Sequence, residues 1–82
     1  MRVYLEPASG TAEDNIDRAK IEMQSAIGFR GTVTGAKAEK NRIGLTVEVN
    51  PKWDLPGKQK EQALRDWIMV KTKTSFKVLF IM

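Results

Sequence analysis

The strongest constraint on the fold is a stretch of strict alternation near the middle of the chain. Apolar side chains occupy every second position from Ile43 to Val49, and Gly44, Thr46 and Glu48 lie between them. A period of two residues is that of a β-strand with one buried face. We therefore expect a sheet with one face covered, and other segments of the chain must supply the cover.

Residues 11–28 have the period of a helix that could cover that sheet. Its apolar positions recur at spacings of three and four: Ala12, Ile16, Ala19, Met23 and Ala26. Such spacing places them in one stripe on an amphipathic helix. Thr11 or Ser9 is a suitable N-cap, and Gly28 lies where a helix commonly ends. The sequence thus predicts a helix that begins after one of these caps and ends near Gly28.

The remaining segments complete a pattern of alternating element types. A second helix is expected from about Pro56, with Ala63, Leu64, Trp67 and Ile68 as its apolar stripe. Short strands are expected at 2–6 and 76–82, and a weaker one at 31–36 joins the alternating strand through a turn at 39–41. Two glycines in the 31–36 arm predict a β-bulge or a close backbone approach.

These elements predict one α+β domain that spans residues 1–82. The order strand, helix, strand, strand, helix, strand (βαββαβ) fits a ferredoxin-like sandwich, with a four-stranded sheet and two helices on one face. In the last strand, Phe76, Val78 and Phe80 would share one side, and Leu79 and Ile81 the other. This fold carries many unrelated activities, so it does not indicate a function.

Charge is distributed unevenly along the 82 residues. Residues 1–50 carry seven Lys or Arg and seven acids, whereas residues 51–82 carry seven against three, which accounts for the whole net charge of +4. A basic segment suits an anionic partner such as the phosphate backbone of nucleic acid or an acidic protein surface. The competing interpretation is an ordinary lysine-rich surface that keeps the protein in solution.

The residue types present disfavour catalysis. The chain has no histidine and no cysteine, so the usual general base, thiol nucleophile and zinc ligands are missing. Glu13, Asp14 and Asp17 cluster at a helix start, where the helix dipole alone favours acids. We expect a protein that is not an enzyme and uses no metal and no cofactor.

Two RNA-binding patterns are only partly present. Gly28-Phe29-Arg30-Gly31 matches the GxxG loop of KH domains, but a β-branched segment follows it where that family has a helix. An RRM needs aromatic side chains on two central strands, and Tyr4 is the one suitable aromatic that the pattern supplies. Neither pattern assigns the chain to a family.

The first functional hypothesis is a nucleic-acid-binding module that uses the basic region 52–77. Its candidate contacts are Lys52, Trp53, Lys58, Lys60, Arg65, Lys71, Lys73 and Lys77. Lysines would contact phosphates and Trp53 would stack on an unpaired base, unless Trp53 serves as a loop anchor. The spacing of Trp67 within its helix favours a core position.

The alternative is a protein-interaction module, such as a small inhibitor or adaptor of the kind that phages and mobile elements encode. Tyr4, Leu79 and Ile81 would form an apolar patch on the open face of the sheet if the first and last strands are neighbours, unless the 50–57 loop and Trp53 cover Leu79 and Ile81. That patch, or a free strand edge, would bind a partner or a second copy in a homodimer. The sequence shows no signal peptide and no stretch typical of a membrane span, which favours the cytoplasm.

Overall fold

A computed structural model describes all residues from Met1 to Met82. In chain order the elements are β1 (Arg2–Pro7), α1 (Ala12–Ile27), a 3₁₀ turn (Gly28–Arg30), β2 (Gly31–Glu39), β3 (Arg42–Val49), α2 (Gly57–Asp66), a π-helical turn (Trp67–Lys71) and β4 (Phe76–Ile81). This confirms the α+β class and the βαββαβ order. No helix combines the length and the hydropathy needed to span a bilayer.

The four strands form one sheet in the order β2-β3-β1-β4. Every neighbouring pair is antiparallel. Strand β3 therefore lies between β1 and β2, and β1 lies between β3 and β4. Each strand–helix–strand half is split by a strand of the other half, so neither half forms a continuous sheet by itself.

Both helices pack on the same face of this sheet. One cluster contains the buried side chains of strands and helices alike: Val3, Leu5, Ala12, Ala19, Met23, Ile27, Ile43, Leu45, Val47, Leu64, Ile68 and Phe76. Burial of such side chains removes apolar surface from water and is the main favourable contribution to folding. The prediction that the alternating strand and the helical stripe face each other is confirmed.

Capping and turn residues set the positions of α1 and the β2–β3 hairpin. Thr11 Oγ1 accepts a hydrogen bond from Asp14 N at 3.1 Å, as expected of an N-cap. The hairpin turn consists of Lys40 and Asn41, whose φ angles of 50° and 59° are typical of a type I′ turn. Asn41 Oδ1 also accepts from Ala12 N at 3.2 Å. The hairpin tip is thereby joined to the start of α1.

Two strands contain bulges, of which the sequence predicted one. In β2 the pairing with β3 shifts between Val33 and Gly35, as the two glycines of this arm indicated. In β4 the partner of Tyr4 is Phe80, whereas the partner of Leu5 is Val78, so Leu79 is an extra residue without a direct partner. The second bulge had no sequence signal.

The bulge in β4 reverses the facing predicted for the end of that strand. Ile81 pairs with Val3 and packs against the core, so its expected position on the open face is wrong. Phe80 was expected beside Phe76 and Val78 but lies opposite Tyr4 on the open face. The physical reason is that one inserted residue exchanges the two faces of a strand beyond it.

Candidate functional site

Three aromatic and two cationic side chains form a continuous row at one end of the helical layer. The ring centroids of Trp53 and Phe29 are 6.3 Å apart with an interplanar angle of 85°. The guanidinium carbon of Arg30 lies 4.9 Å from the centroid of Phe29 and 3.5 Å from that of Trp67. Lys71 Nζ lies 5.4 Å from the ring centroid of the same Trp67. We call these five residues the aromatic–cation cluster.

Asn50 holds the turn that carries Phe29 and Arg30 by hydrogen bonds to its backbone carbonyls. Asn50 Nδ2 donates to Phe29 O at 2.7 Å, and Asn50 N donates to Arg30 O at 3.0 Å. Gly28 ends α1 with a φ of 57°, a conformation that other residues rarely adopt. The turn is therefore fixed against the 50–56 loop, and the side chains on it have a defined position.

Gln24 attaches the same turn to α1 and β2. Its Nε2 donates to Gly31 O at 3.0 Å and to Gly28 O at 3.3 Å, and its Oε1 accepts from Val33 N at 2.8 Å. One side chain thus provides hydrogen bonds to three backbone groups, one in the 3₁₀ turn and two at the start of β2. This bracing orders the segment on which the aromatic–cation cluster depends.

One hydrogen bond and apolar packing hold Trp67 in the aromatic–cation cluster. Its Nε1 donates to Ala26 O at 3.0 Å, and its ring packs against the core. The π-helical turn that begins at Trp67 is closed by a bond from Thr72 N to Trp67 O at 3.0 Å. Trp67 is a core residue on one side, as predicted, but its ring is covered by Arg30 on the other.

The cluster is positively charged and partly open to solvent. Arg30 and Lys71 form no ion pair with any acid of the chain. Phe29 exposes 62 % of its surface, which is unusual for a phenylalanine in a domain with a formed core. A guanidinium stacked on an aromatic ring keeps its N–H groups available at its edge for phosphate or carboxylate oxygens.

The structure brings some of the predicted nucleic-acid contacts to this cluster. Trp53 and Lys71 are members of it. Lys60 Nζ donates to Pro51 O at 2.6 Å, which fixes the neighbouring loop that also carries Lys52. Trp53 packs against the core as well, so the two roles predicted for it are compatible.

Other members of the predicted set lie elsewhere or have partners within the chain. Arg65 forms an i,i+4 ion pair with Glu61 at 3.3 Å, so its charge is partly compensated. Lys77 lies directly opposite Glu6 in the sheet register, on the face away from the helices. Lys58 and Lys73 are exposed and form no ion pair. The basic region 52–77 is consequently not one continuous surface.

The predicted protein-interaction patch has a different composition in the structure. Tyr4 lies on the open face, as expected, and its ring stacks on that of Phe80 at 4.6 Å between centroids. Leu79 is the half-buried bulge residue, and Ile81 belongs to the core side. An aromatic pair thus replaces the aliphatic patch that the sequence indicated.

Phe29 and Arg30 are site residues that the sequence reasoning missed. They were present in the Gly28–Gly31 motif, which was weighed only as a phosphate-binding loop followed by a helix. Their signal was the exposed aromatic next to an arginine in a short turn between two glycines. A motif that lacks the following helix of one family can still identify a turn whose side chains are exposed to solvent.

The acids at the start of α1 do not assemble into a metal site. No three Asp or Glu side chains of the chain come close enough together to hold a metal ion. Glu13 and Asp14 lie in the first turn of α1, where they oppose the positive end of the helix dipole.

Comparisons with known proteins do not assign the chain to a family. No model of a known protein family matches it. Comparisons with curated proteins and with solved structures likewise return no similar chain.

Proposed function

We propose that this protein is a non-enzymatic nucleic-acid-binding module of the cytoplasm, and that its aromatic–cation cluster binds single-stranded DNA or RNA. The observation that carries the proposal is the row Trp53–Phe29–Arg30–Trp67–Lys71, in which aromatic rings alternate with cations and no acid takes part. Proteins that bind single strands combine cations along the backbone path with aromatic stacking platforms.

Each part of the cluster has a distinct role in this proposal. Phe29 offers an exposed ring to an unpaired base, and such stacking tolerates any base because every base has a π-face. Arg30 and Lys71 contact phosphates, and the exposed Lys52, on the loop that carries Trp53, adds positive charge. A duplex would keep its bases stacked internally, so the module should prefer single strands.

The test is a fluorescence titration that uses Trp53 and Trp67 as reporters. Single-stranded and duplex oligonucleotides are added at two salt concentrations. We expect tighter binding of single strands, and a slope of log K against log salt of about −0.7 for each phosphate neutralised. Phe29→Ala should weaken binding by about 1–3 kcal/mol, the value of one base–aromatic stack. Absence of binding at low salt would end the proposal.

Matched substitutions separate the cluster from general charge and hydrophobicity. Lys71→Ala removes about one phosphate contact, so the slope of log K against log salt should become shallower by the value of one contact. Lys20→Ala, on α1, should leave this slope unchanged. Ile21→Ala removes an equally exposed apolar side chain that lies on α1 outside the cluster. Equal losses from the Phe29 and Ile21 substitutions would contradict a specific stacking role.

A second candidate function is protein interaction through the same end of the molecule. Val70 exposes 78 % of its surface and Met69 54 %, and both lie in the π-helical turn with Trp67. Aromatic, methionine and arginine side chains are enriched in the centres of protein interfaces. If a homodimer forms there, light scattering will show a concentration-dependent mass that Val70→Glu abolishes. A monomer at all concentrations would exclude that homodimer.

A further inference from the structure

The β4 bulge creates a stacked aromatic pair on the face of the sheet opposite the helices. The rings of Tyr4 and Phe80 are 4.6 Å apart with an interplanar angle of 24°, and Phe80 is 38 % exposed. Gly44 lies beneath the Tyr4 ring, since a Cβ added there would be 3.2 Å from Tyr4 Cε1. The absence of a side chain at Gly44 therefore allows the ring to lie flat across β3.

Arg42 lies next to both rings and has no acidic partner. Its guanidinium carbon is 5.7 Å from the centroid of Tyr4 and 5.7 Å from that of Phe80. Its Nε is buried and forms no hydrogen bond within the protein. A buried polar group without a partner is uncommon in folded proteins and calls for an explanation. We call Tyr4, Phe80 and Arg42 the open-face site.

The nearby acids are matched to other bases. Glu39 Oε2 forms an ion pair with Lys37 Nζ at 3.5 Å. Glu6 lies directly opposite Lys77 in the register of β1 and β4. Glu39 is also the cross-strand neighbour of Arg42, but no carboxylate forms an ion pair with the Arg42 guanidinium, which leaves it able to bind an anion from outside.

A second arginine and a concavity extend the open-face site along the strands. Arg2 is two residues before Tyr4 on β1, and Arg42 is two residues before Gly44 on the antiparallel β3. At about 3.3 Å per residue, each arginine lies about 6.6 Å along its strand from the paired residues Tyr4 and Gly44. The two arginines lie on opposite sides of that pair. Next to Arg2 and the Tyr4 ring lies a concavity of about 210 Å³, and its other lining residues are Ala36, Lys37, Glu39, Gly44 and Thr46. It is smaller than the roughly 300–1,000 Å³ of drug-sized pockets, so it fits one flat group.

We propose that the open-face site is a second, independent binding site that takes one nucleotide of a single strand. The base packs against the Tyr4 ring over Gly44, and the phosphates on its two sides contact Arg2 and Arg42. Arginine is suited to this role because its planar fork binds phosphate oxygens in pairs while it stacks on aromatic rings. This site lies across the sheet from the aromatic–cation cluster, so it goes beyond the function proposed above.

The test is an NMR titration of the ¹⁵N-labelled protein with a single-stranded oligothymidylate of about eight nucleotides, a length within the usual site sizes. It is made in the Phe29→Ala background, in which the aromatic–cation cluster is weakened. We expect the amide signals of Gly44, Thr46 and Phe80 to shift. Shifts confined to residues 28–31 and 52–71 would overturn the proposal.

Substitutions on the open face give a second readout. Tyr4→Leu keeps apolar volume but removes the ring on which the base packs, and should weaken binding about 5- to 150-fold. Thr46→Glu places a negative charge at an exposed position of the concavity and should abolish binding there. Ser25→Glu adds the same charge on α1 and serves as the matched control. Equal affinities of the Thr46→Glu and Ser25→Glu proteins would refute the site.

The outcomes of the two proposals are separable. Loss of binding on Phe29→Ala alone, with unchanged open-face signals, supports the aromatic–cation cluster and refutes the open-face site. Open-face shifts that survive Phe29→Ala support the open-face site whatever the fate of the other proposal. An oligoglutamate peptide that shifts the same amides with equal affinity would identify a general anion surface and contradict nucleotide recognition.

Discussion

Glu22 attaches the segment before β4 to helix α1, and removal of its charge should lower stability measurably. Its carboxylate accepts hydrogen bonds from Ser75 N at 2.8 Å, Ser75 Oγ at 3.0 Å and Arg18 Nε at 2.7 Å. The side chain is 25 % exposed, so these bonds are partly shielded from water. The informative perturbation is Glu22→Gln, which keeps the shape and removes the charge.

The magnitude follows from the partners of that carboxylate. Hydrogen bonds to a charged group contribute about 1 kcal/mol more than those between neutral groups. The exposed i,i+4 pair with Arg18 adds about 0.3–0.5 kcal/mol. Glu22→Gln should therefore cost about 1–1.5 kcal/mol. For a domain of this size each kcal/mol corresponds to about 4–8 °C, so the Tm should fall by about 4–12 °C.

The stability difference between wild type and Glu22→Gln should depend on pH in a defined direction. The hydrogen bond from the Ser75 backbone, aided by Arg18 and the Ser75 hydroxyl, lowers the pKa of Glu22 below its ordinary value of 4.5. A group with a lower pKa in the folded state stabilises the fold fully above its unfolded pKa and loses that effect as the pH falls through the folded pKa. The Tm difference between wild type and Glu22→Gln should thus be largest at neutral pH and shrink below about pH 4.5.

The assay is thermal unfolding followed by circular dichroism, from pH 7 down to about pH 3. The matched control is Glu61→Gln, because Glu61 also forms an i,i+4 pair with an arginine but is 59 % exposed and bonds to no backbone group. That control should cost at most about 0.5 kcal/mol. Equal Tm losses for the two variants, or a Glu22 effect that does not change with pH, would refute the reasoning.

Two backbone positions give further tests of the fold. Gly31→Ala should destabilise by about 1–3 kcal/mol, because its Cβ would lie 2.8 Å from the backbone oxygen Glu48 O; an unchanged urea midpoint would contradict this. Lys40→Asn should raise the free energy of unfolding by about 0.5 kcal/mol, and so raise the Tm slightly, since Asn tolerates the φ of 50° better than Lys does. A lower Tm for that variant would mean that the Lys40 side chain has a stabilising role of its own.

Local chemistry explains why much of the fold was predictable. The helix α1 follows from a three–four spacing of apolar residues between a capping threonine and a glycine. The hairpin follows from the alternation of β3 and the polar turn before it. The bulge of β2 was also foreseeable, because a glycine inside a strand often marks a bulge and Gly35 lies at this one.

The bulge of β4 was not predictable because every residue of that strand end is apolar. Alternation identifies a face only where polar and apolar residues differ, and Val78, Leu79, Phe80 and Ile81 offer no such contrast. The insertion of Leu79 is decided by pairing with β1, which is a tertiary contact. Phe80 lies beside Tyr4 only because of this one extra residue, so its membership of the open-face site was out of reach of the pattern.

The aromatic–cation cluster shows a different limit. Its members come from the end of α1, the 50–56 loop and the π-helical turn, which lie far apart in the sequence. The charge count correctly located excess lysines after residue 50 but could not show that Lys77 lies across the sheet. Proximity along the chain is a poor guide to a surface when a sheet separates the segments.

The position of β1 in the sheet has a consequence for how the chain folds during synthesis. This strand is close to the N-terminus, yet its two neighbours are β3 and β4, and β4 includes residue 81. At roughly 5–20 residues per second, β1 waits several seconds on the ribosome before its second neighbour has been made. Meanwhile the apolar stripe of α1 has no completed sheet to pack on. Folding is therefore completed late, through non-local contacts, and the apolar stripe of α1 stays exposed until β4 has been made.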